Sequence, residues 1–245
     1  MYQNYIFDLY GTLVDISTDE SSDELWQKTA KEYKKNGATY TPQELEQKYH
    51  SYVRKEKYKV KLMHPFYQNI DIDLLKIFKK LYYKKGVKPT TEELENTAWH
   101  FRQNSTLYLK IFDGAEDLLK SLKENNKRIY LLSNAQSCFT LNELKRFDIL
   151  KYFDGVFISS DHLCAKPAKQ YFDKLIKTYS LEKSKTIMIG NDYISDIGGA
   201  NKVGIDSLYI YQKGCSPDIP KEQIPAKYKI FDGNVWKIKE YILKP

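Results

Sequence analysis

Tyr5-Ile6-Phe7-Asp8-Leu9-Tyr10-Gly11-Thr12-Leu13-Val14-Asp15 reads as a short apolar strand that ends on a carboxylate and turns on a glycine. A carboxylate at the carboxyl end of a buried strand, followed by a turn, is where open α/β sheets put chemistry. An aspartate there can attack an electrophile and carry a covalent intermediate. The plainer alternative is an aspartate that caps a turn.

Three polar clusters downstream favour the first reading. Ile129-Tyr130-Leu131-Leu132-Ser133-Asn134 is a strand ending in a hydroxyl and an amide, with a charged helix before it. Lys166-Pro167 precedes the helix-like Gln170-Tyr171-Phe172-Asp173-Lys174-Leu175. Thr186-Ile187-Met188-Ile189-Gly190-Asn191-Asp192 is a further strand, with Asp196 beyond it. In chain order the polar groups are a carboxylate, a hydroxyl, a lysine and a second acidic group. A metal-assisted anion-transfer site needs these parts.

Outward from these clusters the chain divides into two kinds of pattern. Residues 17 to about 107 carry little strand signal. Ser22-Asp23-Glu24-Leu25-Trp26 opens a helix that stops near Asn36-Gly37. Thr41-Pro42-Gln43-Glu44 starts a second, with proline at the first position and a capping-box glutamate, running to about Lys61. Asp71 to Tyr83 has the periodicity of a third, and Thr90-Thr91-Glu92-Glu93 opens a fourth ending near Asn104. After Asp113-Gly114, helices and strands alternate, with strands at 128–132, 154–159, 186–190 and 206–211 and a last helix from about Val235 to Leu243. That alternation predicts a parallel sheet with right-handed crossovers.

Composition sets further bounds. A hydrophobic content of 42% supports a true core. No apolar run reaches the ~18 residues of a membrane span. Met1-Tyr2-Gln3-Asn4 carries no signal-peptide pattern. Cys138, Cys164 and Cys215 are distant and odd in number, which suits free thiols and a cytoplasmic location. The net charge of +7 comes from lysines dispersed over helices. Without an arginine-rich stretch or a nucleic-acid motif, the lysines read as solvated helix faces. No nucleic-acid or membrane partner is expected.

The four ordered clusters resemble the haloacid dehalogenase superfamily of hydrolases, and the resemblance runs from Asp8 to about Tyr211. It implies an α/β fold: a Rossmann-like parallel sheet core over residues 1–16 and 108–245, with an all-helical cap inserted over 17–107. It implies that Asp8 is the nucleophile, that Ser133 binds the transferred group with Thr12 and Asn134 beside it, and that Lys166 neutralises it. It also implies a Mg²⁺ site built from Asp8, the Tyr10 carbonyl, Asn191, Asp192 and Asp196, with Asp196 either a ligand or an orienter of Lys166. Helix capping is the plainer role for Asp192 and Asp196. His100 and Arg102, on the last cap helix, are the strongest substrate candidates among the polar cap residues.

Departures from the family pattern divide the chemistry. Phosphatases of this family usually carry a second aspartate two residues after the nucleophile, as acid and base; Tyr10 stands there. Tyrosine at that position is typical of the family's 2-haloacid dehalogenases. Those enzymes also place a tyrosine six residues after the lysine, where Phe172 stands with Tyr171 one residue early. The retained Asp192 and Asp196 point to a metal and to phosphate. The leading expectation is a phosphatase acting on a small phosphorylated metabolite through an aspartyl-phosphate on Asp8. The alternatives are C–halogen hydrolysis and a catalytically degraded member that binds a ligand or protein.

Overall fold

A computed structural model describes residues 2–243. Its centre is β1 (Asn4–Phe7), whose four residues are all buried. Such a run suits a strand covered by helices on both faces. It pairs in parallel with β4 (Arg128–Ser133) on one side and with β6 (Thr186–Gly190) on the other. With β5 (Gly155–Ile158), β7 (Asp206–Ile210) and β8 (Tyr228–Ile230), the six-stranded order is β5-β4-β1-β6-β7-β8. The chain therefore builds outward from β1 on one side, then crosses back and builds outward on the other. Ligands bind at such a reversal, outside the carboxyl ends of the strands.

Register fixes what meets there. Phe7 lies level with Leu131 and with Ile189. Asp8, one residue beyond Phe7, and Ser133 and Asn191, two residues beyond Leu131 and Ile189, therefore sit at the same edge of neighbouring strands. One face of the sheet packs Phe7, Leu131 and Ile189 against Leu118, Leu119 and Leu122 of α5 (Ala115–Glu124). The other packs Ile6, Leu132 and Met188 against Tyr171, Phe172 and Leu175 of α8 (Lys169–Thr178).

Four helices occupy the stretch between β2 (Val14–Thr18) and β3 (Thr106–Ile111). They are α1 (Asp23–Lys35), α2 (Pro42–Met63), α3 (Leu74–Lys84) and α4 (Thr91–Ser105). They close around an aromatic centre of Trp26, Tyr49, Phe78 and Phe101. The α4 start forms a complete capping box between Thr90 and Glu93. At α2 only half of the box exists: Thr41 accepts from the Glu44 amide, while the Glu44 carboxylate bonds Lys85 at 2.9 Å. A longer-range cation has taken the glutamate.

Four features escape the sequence periodicity. β2 and β3 pair as an antiparallel ribbon where the helical unit joins the sheet. β8 is three residues long, too short for alternation to register. A one-turn helix, α7 (Ser159–His162), follows β5 directly. The turn after β6 is π-helical over Tyr193–Gly198 before α9 (Gly199–Val203), so the helical stretch between β6 and β7 begins as a wider turn. The remaining helices, α6 (Ser137–Arg146) and α10 (Lys237–Ile242), lie close to expectation. Among the described residues no helix is long and apolar enough to cross a membrane. All three cysteines are free.

Candidate active site

The strand ends open into a cleft of about 200 Å³ lined by Asp8, Tyr10, Ser133, Asn134, Lys166, Asn191, Asp192, Ser195, Asp196, Cys215 and Pro217. Residues from all four sequence clusters therefore share one space. Asp8 sits where β1 gives way to a tight turn, its amide bonded to the Ile189 carbonyl at 3.0 Å. Gly11 has a φ of +80°. A Cβ there would lie 2.4 Å from Asn191 Nδ2, so glycine serves both the turn and the close approach of the two loops.

Lys166 is the hub. Its Nζ donates to Asp8 Oδ1 at 2.6 Å and to Asp196 Oδ1 at 2.7 Å, and its side chain is 2% exposed. Burial disfavours the ammonium, yet the carboxylates of Asp196 and Asp8 outweigh it and hold Lys166 above its ordinary range. Asp196 is fully buried, and burial, opposed by Lys166 and reinforced by Asp8, pushes its carboxyl upward. Its second oxygen accepts from the Asp192 amide at 3.0 Å. One Asp196 oxygen is thus bonded to Lys166 and the other to a backbone amide.

Ser133 is 1% exposed, and its Oγ is buried without a hydrogen-bond partner. An orphaned hydroxyl in a polar cleft calls for a ligand oxygen or water. A strand end leading into a helix start offers backbone amides to an anion, but here two of them are occupied. The amides of Ala135 and Ser137 are already taken by Ser159 Oγ at 2.8 Å and Ser160 Oγ at 3.0 Å. Those two serines come from α7, which carried no sequence signal.

Several side chains do other work than their sequence reading gave them. Asn134 grips the Lys166 backbone, accepting from its amide at 2.7 Å and donating to its carbonyl at 3.0 Å. Thr12 is fully buried and donates to Asn191 Oδ1 at 3.3 Å. Asn191 in turn donates to the Cys215 carbonyl at 3.2 Å. Asp192 caps the π-turn, accepting from the Ile194 and Ser195 amides at 2.8 and 3.0 Å. Tyr10 lines the cleft, but its hydroxyl donates to Glu143 and shares a 2.9 Å bond with Thr140. Burial, then the Glu143 charge, raises the phenol far above its ordinary range. It is no acid–base group at neutral pH.

The two substrate candidates are not brought to this cleft. Arg102 donates to Glu143 at 2.6 Å and borders a neighbouring cleft of about 260 Å³ between α4, β3 and α6. His100 takes its charge environment from Glu32, Lys28 and Lys35 of α1, and its carbonyl accepts from Asn104 at 2.7 Å. The sequence placed both on the last inserted helix, but the face each presents depends on packing.

A small hard cation fits the donors of this cleft. The carboxylates of Asp8 and Asp192 and the amide of Asn191 line it. Among the described residues no group of three or more His, Cys, Asp and Glu side chains is close enough to cage a metal. Mg²⁺ needs no such cage, since it keeps several waters and uses one or two carboxylates.

The sheet order and the strand-end cluster define a doubly wound parallel α/β protein with a polar cleft at the topological switch. The sequence profile of the haloacid dehalogenase-like hydrolases matches residues 2–204, and the chain belongs to that family. It is 34% identical over 97 residues to the pyrimidine 5'-nucleotidase PynA of Streptococcus pneumoniae, covering 39% of this chain and 41% of that protein. It is 28% identical over 102 residues to a glyceraldehyde 3-phosphate phosphatase of Pyrococcus abyssi, covering 42% and 43%. The match thus spans about four-tenths of these curated relatives. A phosphatase from Thermococcus onnurineus superposes with a TM-score of 0.60 at 20% identity, covering 98% of this chain and 97% of that one. A 2-haloacid dehalogenase from Pseudomonas syringae superposes at 0.65 with 14% identity, covering 99% of each. The two structures speak for the fold alone.

Proposed function

We propose that this hydrolase is a Mg²⁺-dependent phosphatase of a small phosphorylated metabolite, with Asp8 as nucleophile and the helical unit over residues 17–107 as its cap. The observation that carries this reading is the convergence of Asp8, Lys166 and the unpartnered Ser133 hydroxyl on one cleft. The nucleotidase and phosphatase names of the relatives support a phosphorylated substrate.

In this reading an Asp8 oxygen attacks phosphorus, and the ester oxygen departs with its bonding pair and takes up a proton. Water then attacks the aspartyl-phosphate and releases inorganic phosphate and the Asp8 carboxylate. Ser133 donates to a phosphate oxygen. Lys166 supplies positive charge beside it, held in place by Asp196. Bound Mg²⁺ would offset the repulsion between the Asp8 carboxylate and the phosphate. Asp8 and Asp192 would hold it, with the Tyr10 carbonyl and Asn191 beside them.

The test is a turnover screen over phosphorylated metabolites, including pyrimidine nucleoside monophosphates, and over 2-haloacids, with Mg²⁺ and with excess chelator. Phosphoester turnover that chelation abolishes and Mg²⁺ restores is the expected result. Asp8→Asn is near-isosteric and should remove all but about a tenth of it or less. Haloacid turnover in excess chelator, without phosphoester turnover, would overturn the reading.

One observation favours that second chemistry: Tyr10 in place of the usual aspartate. Against it, Tyr171 is part of the fold, donating to the Ser133 and Phe157 carbonyls at 3.1 and 2.9 Å. Phe172 packs so closely on Gly199 that a Cβ there would lie 2.2 Å from its ring. Neither ring is free to serve a haloacid. Metal-dependent turnover of any phosphoester would also exclude a purely binding role.

A further inference from the structure

The lysine loop is held from two sides, and one of them is the helical unit. Between α2 and α3 the chain leaves the bundle and runs along the core. Gln170 Nε2 donates to the Phe66 carbonyl at 2.8 Å. Ala165 N donates to the Asn69 carbonyl at 3.0 Å, and Asp71 N donates to the Leu163 carbonyl at 3.2 Å. Ile70 and Cys164 form an antiparallel bridge between them. Asp71 then accepts from Ser159 Oγ and from the Ile72 amide. Residues 66–72 thus form a strap laid across residues 163–166.

Midway along the strap Asn69 Nδ2 donates to the Lys166 carbonyl at 3.1 Å. The same carbonyl accepts from Asn134 Nδ2 at 3.0 Å. One carbonyl oxygen has two lone pairs, and here one amide comes from the core and the other from the inserted unit. The geometry points to Asn69 as a positioning residue for Lys166: the lysine loop takes its full set of bonds only when the helical unit is docked. Losing the strap would leave the loop held by Asn134 on the Lys166 backbone and by Lys202 Nζ on the Pro167 carbonyl at 3.2 Å. The Lys166 ammonium must reach Asp8 and Asp196 together, at 2.6 and 2.7 Å. A loop with fewer backbone bonds serves both less well.

The positional argument stands on the hydrogen bonds. Its catalytic consequence rests on the phosphatase reading, so the test has one arm that does not use activity. Asn69→Ala removes the side-chain donor, and Asn69→Asp keeps the shape while turning an acceptor toward a carbonyl. Gln68→Ala, an exposed neighbour on the same strap, is the control. Hydrogen exchange is read by mass spectrometry on peptides over residues 163–168 and over β1. We expect both Asn69 variants to exchange about five- to tenfold faster at 163–168, the size of one lost hydrogen bond, with β1 unchanged. Where the wild type turns over p-nitrophenyl phosphate with Mg²⁺, kcat/KM should fall by a similar factor, and Gln68→Ala should change neither quantity. Exchange at 163–168 equal to that of Gln68→Ala in both variants would overturn the inference, whatever the activity. Altered exchange with unaltered kcat/KM in an active enzyme would overturn the link to Lys166. If Asn69→Ala loses protection everywhere, Asn69→Asp decides by the same criteria, and global loss in both would make Asn69 a folding residue and reject the assignment. A wild type without phosphoester turnover would refute the phosphatase reading and leave the exchange arm to decide the positional claim.

Discussion

Arg102 Nε donates to Glu143 Oε1 at 2.6 Å, and the two side chains are only 11% and 2% exposed. The pair joins the last inserted helix to α6 of the core. It also sets Tyr10, because the same glutamate accepts the phenol and the guanidinium lies 5.6 Å from the phenol ring. Removing one partner of a buried pair leaves an uncompensated charge. Arg102→Met should therefore destabilise by about 3–5 kcal/mol in denaturant unfolding, and Arg102→Met with Glu143→Leu should recover most of the loss. A single variant as stable as wild type would show that the pair is solvated in solution.

Burial and the Glu143 charge keep the Tyr10 phenol protonated, with its hydrogen bond donated to Glu143, so in the phosphatase reading leaving groups depart with little help from that position. General acid catalysis typically contributes about 10²–10⁴-fold. Turnover should therefore favour activated aryl phosphates over alkyl phosphates by a ratio in that range. Tyr10→Phe, which removes only the hydroxyl, should leave the ratio unchanged. Equal kcat/KM on p-nitrophenyl phosphate and on an alkyl phosphate would mean that another group supplies the proton.

Gly190 admits no side chain. A Cβ there would fall 2.2 Å from Asp196 Oδ2, an atom already bonded to the Asp192 amide. Gly190→Ala must displace Asp196, and with it Lys166. We expect about 1–3 kcal/mol of destabilisation from overpacking. A misplacement of this kind should lower kcat by about 10²-fold. Wild-type kcat in a folded Gly190→Ala protein would contradict the orienting role of Asp196.

His162 stacks on Phe157 with ring centroids 3.6 Å apart. Burial, then the nearby Lys174 charge, holds its pKa below 6.5, with Asp161 opposing. The folded state therefore resists the proton more than the unfolded chain does. The stability from this site is complete above the unfolded value of about 6.5 and is lost as pH falls through it toward the folded value. The unfolding midpoint should drop between pH 7.5 and 5.5, and His162→Gln should flatten part of that drop. A variant whose pH dependence overlays wild type would assign the titration elsewhere.

Local chemistry in the sequence was enough for the strand-end clusters, the parallel α/β core and the four inserted helices. Apolar runs, helix caps and turn residues act within a few positions of themselves, so Asp8, Ser133, Lys166 and Asp192 were legible as the polar strand-end positions that share the cleft. The ribbon of β2 and β3 was not, because Leu107 and Tyr108 are exposed and blur the alternation. Tertiary structure alone decided which atoms meet. Lys166 reaches Asp8 across 158 positions, Asn69 reaches Lys166 across 97, and Arg102 reaches Glu143 across 41. It turned Asn134 from the anion to the lysine backbone, closed two amides around the start of α6 with serines from α7, and drew the Tyr10 hydroxyl to Glu143. The reason is physical: periodicity says which face of an element is buried, while a hydrogen-bond partner depends on the neighbour that packing brings within about 3 Å.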